Sequence, residues 1–183
     1  YRKGDYAQAL ATGKQALELA EKNVGPAHPD VARSLQTVAK CYFSQGMYSE
    51  AEPLLKRSLA IAEKAFGPDS PQVASALYLL ARLYYEQEEY AEAEPLAKRE
   101  LAISERTFGP DAPELGASLH LLAKIYEVQR KDAEAEPLYV NLHAIMEKAL
   151  GPEHPDIAGR LDDLAYNCAY RLRYSDAEPL ARR

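Results

Sequence analysis

The dipeptide Gly-Pro recurs at Gly25-Pro26, Gly67-Pro68, Gly109-Pro110 and Gly151-Pro152, always 42 residues apart. On the same step sit Pro29, Pro71, Pro113 and Pro155, then Leu35, Leu77, Leu119 and Leu161, then Ala39, Ala81, Ala123 and Ala165, and a further alanine column runs through Ala9, Ala51, Ala93, Ala135 and Ala177. A fixed period of this size marks a solenoid, because one supersecondary unit cannot bury its apolar face alone and stacks on its neighbours to do so. Residues must therefore be compared by column.

Within one period the apolar residues fall at helical spacing. Leu35, Val38, Ala39 and Tyr42 follow an i, i+3, i+4, i+7 pattern, and so do Leu77, Leu80, Ala81 and Tyr84. A polar break (Ser44-Gln45-Gly46, then Glu86-Gln87-Glu88) leads to a second apolar run, Ala51, Leu54, Leu55, Leu59 and Ala62. The spacing predicts antiparallel helix pairs. Ser49-x-x-Glu52 and Ser175-x-x-Glu178 read as capping boxes. Pro53, Pro95, Pro137 and Pro179 follow the first turn of the second helix, where a lost donor costs least. The Gly-Pro-x-x-Pro stretch ends that helix with glycine in a left-handed cap and opens the next unit.

The Tyr-x-x-Ala-Glu-Pro-Leu, Leu-Ala-Ile-x-Glu-(Lys/Arg), Gly-Pro-x-x-Pro and Leu-x-x-Leu-Ala-x-x-Tyr blocks resemble tetratricopeptide repeats of the kinesin light chain type, with a 42-residue unit. The resemblance implies an all-α, right-handed superhelical solenoid of antiparallel helix pairs. It covers a single repeat array over 1–183: a partial repeat with its second helix in 1–24, complete pairs at 29–66, 71–108 and 113–150, and a truncated pair at 155–183. The chain opens on Tyr1 rather than methionine and reads as a piece of something longer, with end faces able to self-associate.

Composition narrows the function. Against 28 acidic residues stand 22 basic ones, a net charge of −6, which argues against a general nucleic-acid binder. Charged residues make up 27% of the chain and interrupt every stretch long enough to span a membrane. Two cysteines, Cys41 and Cys168, lie inside apolar helical patterns, so neither a disulfide scaffold nor a zinc site is indicated, and a reducing, cytoplasmic setting is the natural reading.

No nucleophile elbow, phosphate loop or Cys-His pairing is present, so no enzyme activity, cofactor or metal is expected. Glu52, Glu94, Glu136 and Glu178 read as helix-start carboxylates rather than catalytic groups. His28 and His154 share a column with Ser70 and Ala112, which suits a loop role, and His143 with Glu147, at i and i+4, reads as a solvated helix face rather than half a metal site.

The resemblance places the first helix of each pair on the concave side, where ligands lie. Off its apolar stripe fall Arg33, Gln36, Lys40 and Phe43, then Ser75, Tyr78, Arg82 and Tyr85, then Ala117, His120, Lys124 and Glu127, then Gly159, Asp162, Tyr166 and Ala169. One column thus carries Lys40, Arg82 and Lys124, with Tyr1 and Arg2 at the opening end. Setting aside Arg2, Arg33, Lys40, Arg82 and Lys124 leaves 17 basic against 28 acidic residues, or −11 for the remainder. The expected function is a protein–protein interaction module. An acidic and aromatic peptide would bind in a groove formed by Arg33, Gln36, Lys40, Phe43, Tyr78, Arg82, Tyr85, His120 and Lys124. The alternative is a self-associating or regulatory scaffold within a larger multidomain signalling protein. Asp162, Asp163, Glu86 and Glu127 weaken the positive strip toward the C-terminal end.

Overall fold

The computed structural model describes the backbone of residues 3–151 and the side chains of residues 8–149. The truncated pair expected at 155–183, with Cys168 and the Ser175-x-x-Glu178 box, and likewise Tyr1, Arg2 and the fourth column set lie outside these residues. The order of elements is α1 (Lys3–Val24), α2 (Pro29–Phe43), α3 (Tyr48–Phe66), α4 (Pro71–Glu86), α5 (Tyr90–Phe108), a 3-10 turn (Pro113–Leu115), α6 (Gly116–Val128) and α7 (Asp132–Leu150). Among the described residues the only regular structure is helical. The fold class is all-α, with helices paired across tight turns.

The chain forms two compact units, Tyr1–Ile103 and Ser104–Arg183. In the first, α1 packs on α2, α2 on α3 and α3 on α4, and α2 also touches α4. Two clusters of its core follow the repeat. Val31, Ala32, Leu35 and Ile61 form one, with Leu17, Ala20 and Leu54 against them. Ala62, Val73, Ala74, Leu77 and Ile103 form the next, with Leu59 and Leu96 alongside. Leu35 and Leu77 are fully buried, and each such side chain contributes about 1.5–3 kcal/mol relative to exposure. In the second unit α6 packs on α7, with the 3-10 turn touching both, around Leu115, Leu119, Leu122, Ile125, Leu142 and Ile145.

The turn inside each pair is a Schellman motif. Met47 N donates to Tyr42 O and Gly46 N to Phe43 O, both at 3.0 Å, and Glu89→Tyr84, Glu88→Tyr85, Lys131→Tyr126 and Arg130→Glu127 repeat the pattern at 2.9–3.0 Å. This motif needs a left-handed residue, and φ is +71° at Gly46, +62° at Glu88 and +64° at Arg130. Only the first copy supplies glycine.

The helix ends differ from the sequence expectation in two ways. Gly67 closes α3 with φ 85° and ψ 160°, an extended positive-φ conformation essentially confined to glycine, rather than the left-handed helical cap. The Ser49-x-x-Glu52 capping box does not form. α3 starts two residues earlier, with Met47 as its N-cap and no side-chain cap bond. Glu52 is engaged elsewhere, because Lys56 Nζ lies 2.6 Å from its carboxylate and Tyr84 Oη donates to it at 2.9 Å.

These two bonds, that from Lys56 first, hold the Glu52 carboxyl below its usual range, the bond to Glu52 raises the Lys56 ammonium, and burial raises the Tyr84 hydroxyl. The large column tyrosines therefore do more than fill space. Lys14 Nζ sits 5.2 Å from the Tyr42 ring centre and Lys56 Nζ 5.8 Å from that of Tyr84, so a cation from α1 and one from α3 each lie over the tyrosine of the following first helix.

The His28 column is a helix N-cap. His28 Nδ1 accepts from Asp30 N at 3.2 Å and Ser70 Oγ from Val73 N at 3.4 Å, whereas Ala112 has no side chain for the task and the helix there begins as a 3-10 turn. His143 is not a solvated face residue, since its side chain is only 24% exposed and Nδ1 is buried with no partner among the described residues.

Candidate functional site

In the first unit the exposed edge of α2 and α4 carries most of the residues singled out by column. Three of them meet around one cleft of about 480 Å³, lined by Ala39, Lys40, Phe43, Ser44, Leu55, Leu79 and Arg82. The Arg82 guanidinium lies over the Phe43 ring at 4.8 Å, and that ring is braced edge-on by Tyr48, with centroids 5.4 Å apart. This cation–π contact holds the guanidinium over the ring, and its N–H groups, in no hydrogen bond among the described residues, stay available for an oxyanion. Lys40 is exposed at the same rim. Among the described residues neither Lys40 nor Arg82 forms an ion pair. The arrangement is an apolar trough, floored by Ala39, Leu55 and Leu79, with two positive groups at its edge.

The other column residues have different surroundings. Arg33, with its side chain 82% exposed, lies 3.5 Å from Asp30. Gln36 is used internally: its Nε2 donates to Ser58 Oγ at 3.1 Å and its Oε1 accepts from Ser75 Oγ at 3.2 Å, while Ser58 donates to Ala32 O at 3.0 Å. Tyr78 is half-buried on α4, and Tyr85 packs its ring 5.6 Å from that of Tyr90. Neither lines the cleft.

On α6 of the second unit, Lys124 Nζ is 3.0 Å from Glu127, which also accepts from Tyr139 Oη at 2.7 Å, and the His120 ring lies 6.5 Å from that of Tyr139. The third cation of the column thus already faces a carboxylate. Sequence reasoning missed Leu55 and Leu79 as cleft residues. Leu55 belongs to a second helix, and Leu79 shares its column with Thr37 and Leu121, so no repeated apolar signal marks it.

Among the described residues no group of three His, Cys, Asp or Glu side chains is placed to hold a metal ion, and no helix is long and apolar enough to cross a membrane.

Stacked helix pairs on a 42-residue step and a cleft on the first-helix edge define a tandem-repeat protein of the tetratricopeptide class. The tetratricopeptide repeat family matches residues 1–64, 39–106 and 73–139, and the chain belongs to it. Within that family it is similar to the kinesin light chain type. The nearly identical TPR-like repeats of a Podosopora anserina protein described as a kinesin light chain align at a TM-score of 0.80 and 27% identity, over 98% of this chain and 85% of that one. A point variant of the same protein gives the same TM-score over 84% of its length. BtubC (BKLC) from P. vanneervenii shares the fold at a TM-score of 0.72 and 19% identity, over 91% of this chain and 66% of that one. No curated protein matches the chain. Tetratricopeptide repeats generally mediate protein–protein interaction.

Proposed function

We propose that the chain is a non-enzymatic interaction module, acting in the cytoplasm, whose α2–α4 cleft binds a peptide segment carrying an apolar or aromatic side chain beside acidic groups. One observation carries this reading: Lys40 and Arg82, neither in an ion pair among the described residues, border an apolar trough of about 480 Å³. A chain with an acidic excess would otherwise be expected to neutralise such cations internally. The apolar floor takes the hydrophobic side chain, Arg82 pairs with a carboxylate through its N–H edge, and Lys40 supplies a second charge. Lys124 contributes less, because Glu127 competes for it.

The test is fluorescence anisotropy with a labelled peptide holding one tyrosine between glutamates, titrated at several salt concentrations. Lys40→Glu with Arg82→Glu is expected to weaken binding by at least about tenfold and to flatten the salt dependence. Unchanged affinity and an unchanged slope reject the mechanism.

A self-associating scaffold is the second reading, favoured by the outer face of α1. Leu19 is 58% exposed, whereas Ile61, Ile103 and Ile145 in the same column are 7%, 1% and 3% exposed. Light scattering decides it, since a concentration-dependent oligomer that Leu19→Glu dissolves supports the scaffold and a monomer at all concentrations removes it.

A further inference from the structure

At the first two joints between helix pairs, a single arginine closes the structure. Arg57 on α3 donates from Nη2 to the Pro26 carbonyl at 2.9 Å and places Nη1 2.6 Å from Glu21. Arg99 on α5 does the same with the Pro68 carbonyl at 2.8 Å and Glu63 at 2.7 Å. The 42-residue step carries these three positions to Glu105, Pro110 and Asn141.

From Glu105 to Ala112 the third joint keeps the same two backbone bonds. Gly109 N donates to Glu105 O at 2.9 Å and Ala112 N to Gly109 O at 3.4 Å, against 3.0 Å for Gly67→Glu63 and 3.4 Å for Ser70→Gly67. The glycine φ is +92° at Gly109 and +85° at Gly67. Asn141 is three atoms shorter than arginine and uncharged. Among the described residues Glu105 has no ion pair, and the Pro110 carbonyl accepts no side-chain bond. Lys148 approaches this loop only at Asp111, 4.0 Å away, with both side chains about three-quarters exposed.

We propose that the Glu105 carboxylate and the Pro110 carbonyl form a receptor for an arginine side chain of a partner protein, which takes the place that Arg57 and Arg99 hold at the other joints. The chemistry selects arginine over lysine. A planar guanidinium directs N–H groups along two fixed directions and reaches a carboxylate and a backbone carbonyl together, whereas an ammonium is a compact point charge on a flexible stem. The receptor lies in the second unit, takes a cation and is independent of the anion-binding cleft of the first.

The experiment is an amide NMR titration of the whole chain with methylguanidinium chloride, set against methylammonium chloride at equal ionic strength. The amides of Gly109, Asp111 and Ala112 are expected to shift saturably with methylguanidinium, half-saturating at about tens of millimolar, as suits one charge-assisted pair. Those of Gly67, Asp69 and Ser70 are expected not to shift, because Arg99 already occupies that joint. Asn141→Arg should abolish the response at the third joint by filling it, and Glu105→Gln should weaken it at least about tenfold without adding bulk. Arg99→Asn should transfer the response to the second joint. Equal shifts with methylammonium, equal shifts at both joints in the unaltered chain, or a response that survives Asn141→Arg and Glu105→Gln would overturn the proposal.

Discussion

Replacing Ser58 by alanine tests whether the joint between α2 and α3 is tied by polar bonds as well as by apolar packing. Ser58 is completely buried. Its hydroxyl accepts from Gln36 Nε2 at 3.1 Å and donates to Ala32 O at 3.0 Å. Ser58→Ala removes both bonds, each with a net contribution of about 1 kcal/mol. Alanine returns about 0.5 kcal/mol through its better helix propensity. The Ala32 carbonyl lies within α2, where a helical partner is available, and the half-buried Gln36 amide keeps its contact with Ser75, so neither group bears a full desolvation penalty. The expected loss is about 1.5 kcal/mol, or about 3–6 °C in Tm for a chain of this length. Urea unfolding followed by circular dichroism reads the first quantity and calorimetry the second. A double-mutant cycle with Gln36→Ala should give a coupling of about 1 kcal/mol. A neutral or stabilising Ser58→Ala, or strict additivity with Gln36→Ala, would refute the reasoning.

Three further changes follow from the turns and joints. Glu88→Gly and Arg130→Gly should each stabilise by about 0–1 kcal/mol, because the left-handed conformation costs a side-chain-bearing residue about 1–2 kcal/mol and glycine gives back part of that in unfolded-state entropy. Equilibrium unfolding checks the sign, and a loss at both positions contradicts the motif. Ala112→Ser should restore the N-cap that Ser70 supplies one repeat earlier, adding about 1 kcal/mol and slowing hydrogen exchange over 113–118; unchanged exchange there counts against it. The Glu52 pair sets a pH dependence. Its folded-state pKa lies below the ordinary value, so its contribution is present above the unfolded pKa and is lost as pH falls through the lowered folded value. Wild type should exceed Glu52→Gln in urea midpoint at neutral pH and converge with it in acid, and a gap that persists in acid disproves the linkage.

Helix pairing was legible from the chain because period, proline and glycine act locally: Pro29 and Pro71 each sit in the first turn of a helix, and Gly67 ends one. The capping box at Ser49 misled, since Glu52 has the right spacing for a cap but finds Lys56 and Tyr84 instead. A local pattern cannot register a partner 32 residues away.

What the sequence alone determined is the repeat: small and large apolar residues at fixed columns leave one way of stacking helix pairs, because burying those faces outweighs any other arrangement of the same segments. What only the tertiary structure decided is the electrostatic character of residues sharing a column. Lys40, Arg82 and Lys124 read alike, yet Lys124 meets Glu127 and Arg82 stacks on Phe43. Gln36, expected in the groove, ties α2 to Ser58 on α3 and Ser75 on α4. Charge interactions fall off over a few ångströms and depend on which side chains converge there, and that convergence arises only when separate helices are packed.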